Sequence, residues 1–456
     1  MDFFKSTPPL YDHQQKTVDF IHKNDRVIIT SDPGTGKTRS VLQAYTENKD
    51  GKMLVIAPLS ILQPSWGDDI DNFNPELKYA VAYAKNREKM FAEDVDITIT
   101  NHDAVKWLIN IPAALQGFTW ICIDEFTAFK NSTSQRSKAI AKLMENFKHR
   151  IIMSGTPNAN TILDMWHPAK LVDDGERLGK SFWGFRSQVC SPQQVGPDPR
   201  MVQWKDKPGS KDAVAAMLKD ISIRFRFEDC IDVPENTERT MYIDLPPALM
   251  KQYRNFAWDS MIDTNDGETI NAIHAGAKVK KLLQLCTGAI YNEEGVPKVF
   301  HTQRYDLVME LVAARKHSIV AFNWRHERTE LCKLADKMGI EYAFIDGTVP
   351  VARRTEIVRD YQAGKLQVIF CHPQAAGHGL TLTKGTTTIW CSPSYNAEHF
   401  QQMNRRIYRA GQTQKTETIM IAARDTHETK VYERLGEKMT RMNDLLSLFN
   451  QITKAA

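Results

Sequence analysis

The chain is poor in the residues that staple small folds. Its seven cysteines (Cys122, Cys190, Cys230, Cys286, Cys332, Cys371 and Cys391) are spread over 456 residues, and no two stand at C-x-x-C spacing. That spacing argues against a structural zinc site, and an odd, scattered set suits a reducing compartment. Long apolar runs are missing too. Met1-Asp2-Phe3-Phe4-Lys5 lacks the apolar core of a signal peptide, and no run reaches bilayer length. We therefore expect a cytoplasmic protein with no membrane partner. Charge of one sign is also scarce. A net charge of +4 announces no polyanion partner by itself, so any such surface must be local. There is no internal repeat and no low-complexity tract. With 42% hydrophobic and 25% charged residues, the chain reads as an ordinary globular protein of two or three domains.

What is present is alternation. Arg26–Thr30, Met53–Ala57, Val95–Thr100, Trp120–Ile123 and Arg150–Met153 read as short buried strands. Amphipathic stretches such as Lys37–Thr46 and Ser134–Phe147 separate them. A second series follows at Ser318–Phe322, Tyr342–Ile345, Val368–Cys371, Thr387–Trp390 and Thr418–Ala422. Strands alternating with helices imply parallel sheets. The expected fold is α/β: two tandem parallel-sheet domains at 1–165 and 301–456, with a mainly helical insertion at 166–300. In the insertion, Ala213–Lys219, Ala248–Met261 and Ala272–Leu285 look helical. Ser181–Val189 and Met201–Trp204 flank a Pro/Gly-rich stretch and read as a candidate long hairpin over 181–205.

Ser31-Asp32-Pro33-Gly34-Thr35-Gly36-Lys37-Thr38 follows the first strand and opens a helix. In that context Gly34 and Gly36 let backbone N–H groups, including that of Thr35, curl around phosphate oxygens. The helix N-terminus favours the same anion. Lys37 would contact the terminal phosphates, and Thr38 would help to hold Mg²⁺. Asp124 and Glu125 close the strand Trp120–Ile123, at the edge where open α/β sheets take their ligands. Asp124 is the second candidate for the metal, and Glu125 the group that orients or deprotonates a water. Ser154-Gly155-Thr156-Pro157 follows the next strand and is as consistent with a plain turn as with a phosphate sensor. Arg406 and Arg409 lie three apart on an expected helix, Ala397–Arg409, and so on one face. They are candidates to stabilise transition-state charge, although an isolated pair is more often a solvated basic face. Lys278, Lys280 and Lys281 allow the same two readings. Phe182, Trp183 and Phe185 suggest a strand-separating wedge, with core packing the weightier alternative.

Together these residues resemble superfamily-two helicases, and among them the Swi/Snf-type translocases, over nearly the whole chain. Leu10-Tyr11-Asp12-His13-Gln14 is similar to the adenine-reading motif. Ile56-Ala57-Pro58-Leu59-Ser60 followed by Trp66, and Thr100-Asn101-His102-Asp103, resemble the two DNA-tracking motifs. Asp124-Glu125-Phe126-Thr127 with Lys130-Asn131 is the most family-specific stretch. Thr127 stands where the family has His, the residue that usually links this stretch to the next motif; the acid pair itself is kept. Ile319–Phe322, Ile345–Thr348 with Arg353 or Arg354, Ala375–Thr383, and Gln402–Arg406 with Arg409-Ala410-Gly411-Gln412 complete the set. Phe185–Cys190, Trp204, Ile223–Arg226 and Val233-Pro234 loosely resemble the insertion of fork-remodelling, annealing-type members. So compact a chain is most similar to the branch-migration helicases of tailed phages, whose site of action is the cytoplasm of a bacterial host.

The resemblance implies two RecA-like domains, ATP with Mg²⁺, and DNA as partner, duplex and branched (forks and Holliday junctions), alongside replication or recombination proteins. It implies Gln14 and Gly379 at the nucleotide, and Pro58, Asn101, His102, Thr156, Trp324, Gly377 and Thr381 at DNA. The expected activity is ATP-dependent remodelling of branched DNA. A duplex translocase that strips proteins without separating strands, and a non-catalytic ATP-gated DNA clamp, remain as alternatives.

Overall fold

In the computed structural model, residues 8–155, 161–198, 201–259, 261–263, 269–271, 275–376 and 380–455 are described. The chain divides into two compact units, Met1–Asp232 together with Met439–Ala456, and Val233–Lys438. The region 166–300, expected as one insertion, is thus shared between them.

The first unit is built on a seven-stranded sheet. Its strands are β1 (Arg26–Ile29), β2 (Lys52–Ala57), β3 (Tyr79–Ala82), β4 (Ile97–Asn101), β5 (Phe118–Asp124), β6 (His149–Met153) and, after an outlying hairpin, β9 (Ser222–Ile223). They run parallel in the order β3-β4-β2-β5-β6-β1-β9. Central strands such as Val27-Ile28-Ile29 and Ile121-Cys122-Ile123 are fully buried, as expected when both faces are covered. One face carries Ile28, Leu54, Ile121 and Ile152, and the other Val27, Val55, Cys122 and Ile151. The loop Ser31–Gly36 leaves the C-terminal end of β1 and enters helix α2 (Lys37–Glu47), while helix α1 (Asp12–Lys23) precedes β1.

The hairpin is present but its first arm is displaced. Phe182–Val189 is a helix, capped by the Ser181 hydroxyl accepting from the Gly184 N–H at 3.4 Å. The paired strands are β7 (Cys190–Gln194) and β8 (Val202–Asp206), antiparallel with Pro192 opposite Trp204.

The second unit holds a six-stranded parallel sheet. Its strands are β10 (Asn236–Ile243), β15 (Ser318–Ala321), β16 (Tyr342–Ile345), β17 (Val368–Cys371), β18 (Thr387–Trp390) and β19 (Thr416–Ala423), in the order β10-β19-β18-β15-β17-β16. Two small antiparallel pairs, β11 (Met261–Asp263) with β12 (Thr269–Asn271) and β13 (Ala289–Tyr291) with β14 (Pro297–Val299), lie between β10 and β15 in the chain. The expected helix Ala397–Arg409 stops at Asn404, so Arg406 and Arg409 stand in the turns after it. Both units are therefore parallel-sheet α/β structures. Among the described residues, no helix is long and apolar enough to cross a membrane.

Candidate nucleotide site and its surroundings

The phosphate loop owes its shape to its glycines. Gly34 and Gly36 have φ of +88° and +77°, in the left-handed region that a side chain disfavours. A Cβ on Gly36 would also meet the Gln14 amide nitrogen at 2.1 Å. Lys37, the first residue of α2, donates to the carbonyl oxygens of Ser31 (3.0 Å) and Asp32 (3.2 Å). Burial pushes its pKa down, against the pull of Glu125, Asp124 and Asp32. Thr38 is half-buried in the first turn of the same helix.

Gln14 and His13 reach the loop from α1. Both bond the Thr35 carbonyl, the Gln14 amide at 3.3 Å and the His13 ring nitrogen at 2.8 Å. Gln14 Oε1 also accepts from the Tyr11 N–H at 3.1 Å, so its amide is fixed at both ends.

The acid pair sits at the end of β5, beside the loop. Asp124 is buried. Its Oδ2 accepts from the Trp66 indole N–H at 3.0 Å and its Oδ1 from the Glu125 N–H at 2.9 Å. Burial, with the Glu125 charge beside it, pushes its pKa up to about 7. Glu125 has φ +52°, an uncommon conformation for a residue with a side chain. Such strain costs of order 1–3 kcal/mol and concentrates at functional sites. The turn aims Glu125 Oε2 at the Ser154 hydroxyl, which donates to it at 2.7 Å. This bond joins the acid pair to the turn after β6. His102 adds a second tie, its Nε2 standing 2.9 Å from the Asp124 carbonyl oxygen.

Sequence reasoning missed a strap along the open side of the loop. β9 and the residues after it run beside β1, with the N–H groups of Ile28, Thr30 and Asp32 donating to the carbonyls of Ile221, Ile223 and Phe225. The Ser31 hydroxyl accepts from the Phe225 N–H at 3.0 Å, which gives that serine, in place of the usual glycine, a structural use. Arg224 is buried, pairs with Asp32 Oδ1 at 2.7 Å and also bonds the Thr30 carbonyl. Asp32 Oδ2 takes the Phe227 N–H at 3.0 Å. Nothing near Arg224 in sequence signals this role, because its partners lie about 190 residues away.

The other expected site residues fall as follows. Pro58 caps the 3-10 turn after β2 and is half-buried. Asn101 ends β4, and its side-chain oxygen accepts from Arg87 at 3.1 Å. In the second unit, Trp324 precedes the helix Arg325–Met338 and is half-buried, with the Lys280 ammonium 5.9 Å from its ring centroid. The Arg406 and Arg409 guanidinium groups converge without a shared helix, each donating to the Leu380 carbonyl, at 3.2 and 3.1 Å. Thr381 follows that residue and is half-buried. Arg354, not Arg353, is tied inward, to the carbonyls of Asp346, Val349 and Ala375. Gln412 knots the segment by donating to the carbonyls of Thr383, Gly385 and Ile407. Thr156, Gly377 and Gly379 lie outside the described residues.

Phosphate-shaped backbone, a lysine resting on its own loop, and two adjacent acids with one carboxyl pushed towards neutrality fit a polyphosphate with a divalent cation. Comparison with known proteins gives the family. The SNF2-related domain matches residues 13–290 and the helicase conserved C-terminal domain residues 303–411. The putative protein p41 of Acyrthosiphon pisum secondary endosymbiont phage 1 is 27% identical over 91% of this chain and 92% of its own length. The putative ATP-dependent helicase/translocase YwqA of Bacillus subtilis is 24% identical over 93% of this chain and 47% of its own. The DNA annealing helicase and endonuclease ZRANB3 of Bos taurus is 22% identical over 92% of this chain and 38% of its own. The chain thus spans less than half the length of the last two.

Proposed function

The chain belongs to the SNF2-related family of helicase-type ATPases, and from that premise we propose that it is a DNA-dependent ATP-driven motor that remodels branched DNA. The observation that carries the proposal is the Lys37, Asp124 and Glu125 cluster at the C-terminal ends of β1 and β5. The loop N–H groups and Lys37 would bind the terminal phosphates, and Gln14 would contact the adenine ring. Thr38 and Asp124 would hold Mg²⁺, which when bound neutralises charge on the phosphate oxygens. Glu125, fixed through Ser154, would orient the attacking water and take its proton. Arg406 and Arg409 are the residues the family assigns to transition-state charge, and Leu380 O gathers them as a pair. Pro58, Asn101, His102, Thr156, Trp324, Gly377 and Thr381 would contact the DNA backbone, which supplies grip without sequence preference.

The preference for branched DNA is supported by the β7–β8 hairpin. A two-stranded ribbon with Val195, Met201 and Val202 exposed at its tip offers an edge to a strand junction. The relative ZRANB3, named as an annealing helicase, adds weight. A translocase that displaces proteins without parting strands uses the same engine. The test is ATP turnover with single-stranded, duplex, forked and four-way DNA, paired with strand separation on forked against blunt duplex. The proposal expects forked and four-way DNA to stimulate most. Equal stimulation by every form removes the branch preference, and no stimulation by any form removes DNA dependence.

A further inference from the structure

Trp183 and Arg186 are three residues apart on the helix Phe182–Val189, so they share a face. The pairing of β7 with β8 brings Trp204 to the same place. The Arg186 guanidinium carbon lies 4.3 Å from the Trp183 ring centroid and 3.9 Å from that of Trp204. The cation is therefore sandwiched between two indoles. Its Nε is buried without a hydrogen-bond partner among the described residues, so the rings and not an acceptor hold that part of the group.

The two ends of this ladder differ. Trp204 is half-buried and packs against the core of the first unit. Phe185 is in that core, and Phe182 is anchored edge-on to Trp166 at 5.5 Å. Trp183 is 64% exposed. Of the aromatic trio 182, 183 and 185, two pack inward as expected and one does not. An indole buries a large apolar area when it can, so leaving one open forgoes stabilisation. Here the open ring is also held, by Arg186 on one face and by Phe182 at its edge, 5.5 Å between centroids. A held, open π-face loses little freedom when something stacks on it.

We infer that Trp183, backed by Arg186 and Trp204, is a stacking platform for an unpaired base of single-stranded DNA. The inference rests on the reading that the chain works on DNA, and it names the part of the substrate taken at this place. A flat heterocycle matches the indole face. The guanidinium behind it supplies positive charge close to the attached phosphate, as in other sequence-indifferent single-strand sites. The hairpin tip, Val195 to Val202, carries no aromatic residue. The base of the hairpin therefore receives the parted strand, whatever the tip does to part it.

The experiment uses the whole chain and a labelled oligothymidine, read by fluorescence anisotropy. Trp183→Ala should weaken binding about tenfold, the range of one lost base–aromatic stack. Trp183→Phe should stay within about threefold of the wild type, since an aromatic face remains. Turnover stimulated by blunt duplex should be unchanged in both. An oligomer of abasic sites should bind the wild type about as weakly as oligothymidine binds Trp183→Ala. The inference is overturned if Trp183→Ala binds oligothymidine as tightly as the wild type, or if the wild type does not distinguish base-bearing from abasic strands. If no DNA stimulates turnover, the motor reading fails, and the two binding measurements still decide the platform.

Discussion

In the second unit, Arg304 and Glu428 are both fully buried and 2.5 Å apart. Arg304 also donates to the carbonyls of Cys286, Cys391 and Ile421, and Glu428 also accepts from the Ala423 N–H at 2.6 Å. Apart from Arg304 Nε and Glu428 Oε1, their polar atoms are met. In the first unit, Asp124 and Glu125 are neighbours of like charge, and the hydrogen bonds of Lys37 go to loop carbonyls. The two clusters lie in units built on parallel sheets and serve opposite ends. Opposite charges in contact lock elements together. Like charges beside a parked lysine leave a place that a ligand can complete.

The largest effect should come from breaking the locked pair. Arg304→Met leaves Glu428 buried and unpaired, and should cost about 3–5 kcal/mol of stability in urea denaturation. Adding Glu428→Leu should return part of that loss, because no uncompensated charge remains. If Arg304→Met is as stable as the wild type, the pair is not the lock described.

Arg224 lies between the two extremes, being a buried ion pair placed against the ligand seat. Arg224→Ala should cost about 1–3 kcal/mol, since Asp32 keeps the Phe227 N–H and some solvent. It should also weaken ATP binding, because the charged bond from the strap to Asp32 and the bond to the Thr30 carbonyl are lost. Titration of ATP against the variant separates the two: lost stability with unchanged affinity would make the strap structural only.

The third effect is the pH dependence of the seat. Without nucleotide or Mg²⁺, the folded chain keeps a proton on Asp124 up to about pH 7, while the unfolded chain releases it near pH 4. Between those values the unfolded state binds fewer protons, so this group makes stability fall as pH rises. Asp124→Asn removes the effect. Its stability should gain on that of the wild type from pH 4 to 7 and then level, by about 1.4 kcal/mol for each unit by which the carboxyl is raised. Parallel pH profiles for the two proteins would remove the picture of a raised Asp124 carboxyl.

The sheets were legible because buried parallel strands are short apolar runs that need no partner to be recognised. The phosphate loop and acid pair were legible because each depends on residues adjacent in sequence. What escaped was non-local. β10, with Glu238 and Tyr242 among its residues, is an edge strand made visible only by its pairing with β19. Arg224 and the Trp66 bond to Asp124 depend on strands that meet far apart in the chain. The displaced hairpin arm had a local signal, the Ser181 cap, outweighed by the Pro/Gly-rich stretch that follows it and marks a turn. Arg406 and Arg409 were read as one helix face and do converge, but on the Leu380 carbonyl beyond the helix end.

Whether the seat is catalytic is decided most directly by Glu125→Gln beside the wild type, in Mg²⁺ with duplex DNA, measuring ATP affinity and ATP turnover in the same preparation. The account predicts affinity within about threefold and turnover lower by about a hundredfold or more, the loss expected when a positioned base is removed. A variant that turns over ATP at the wild-type rate would contradict it.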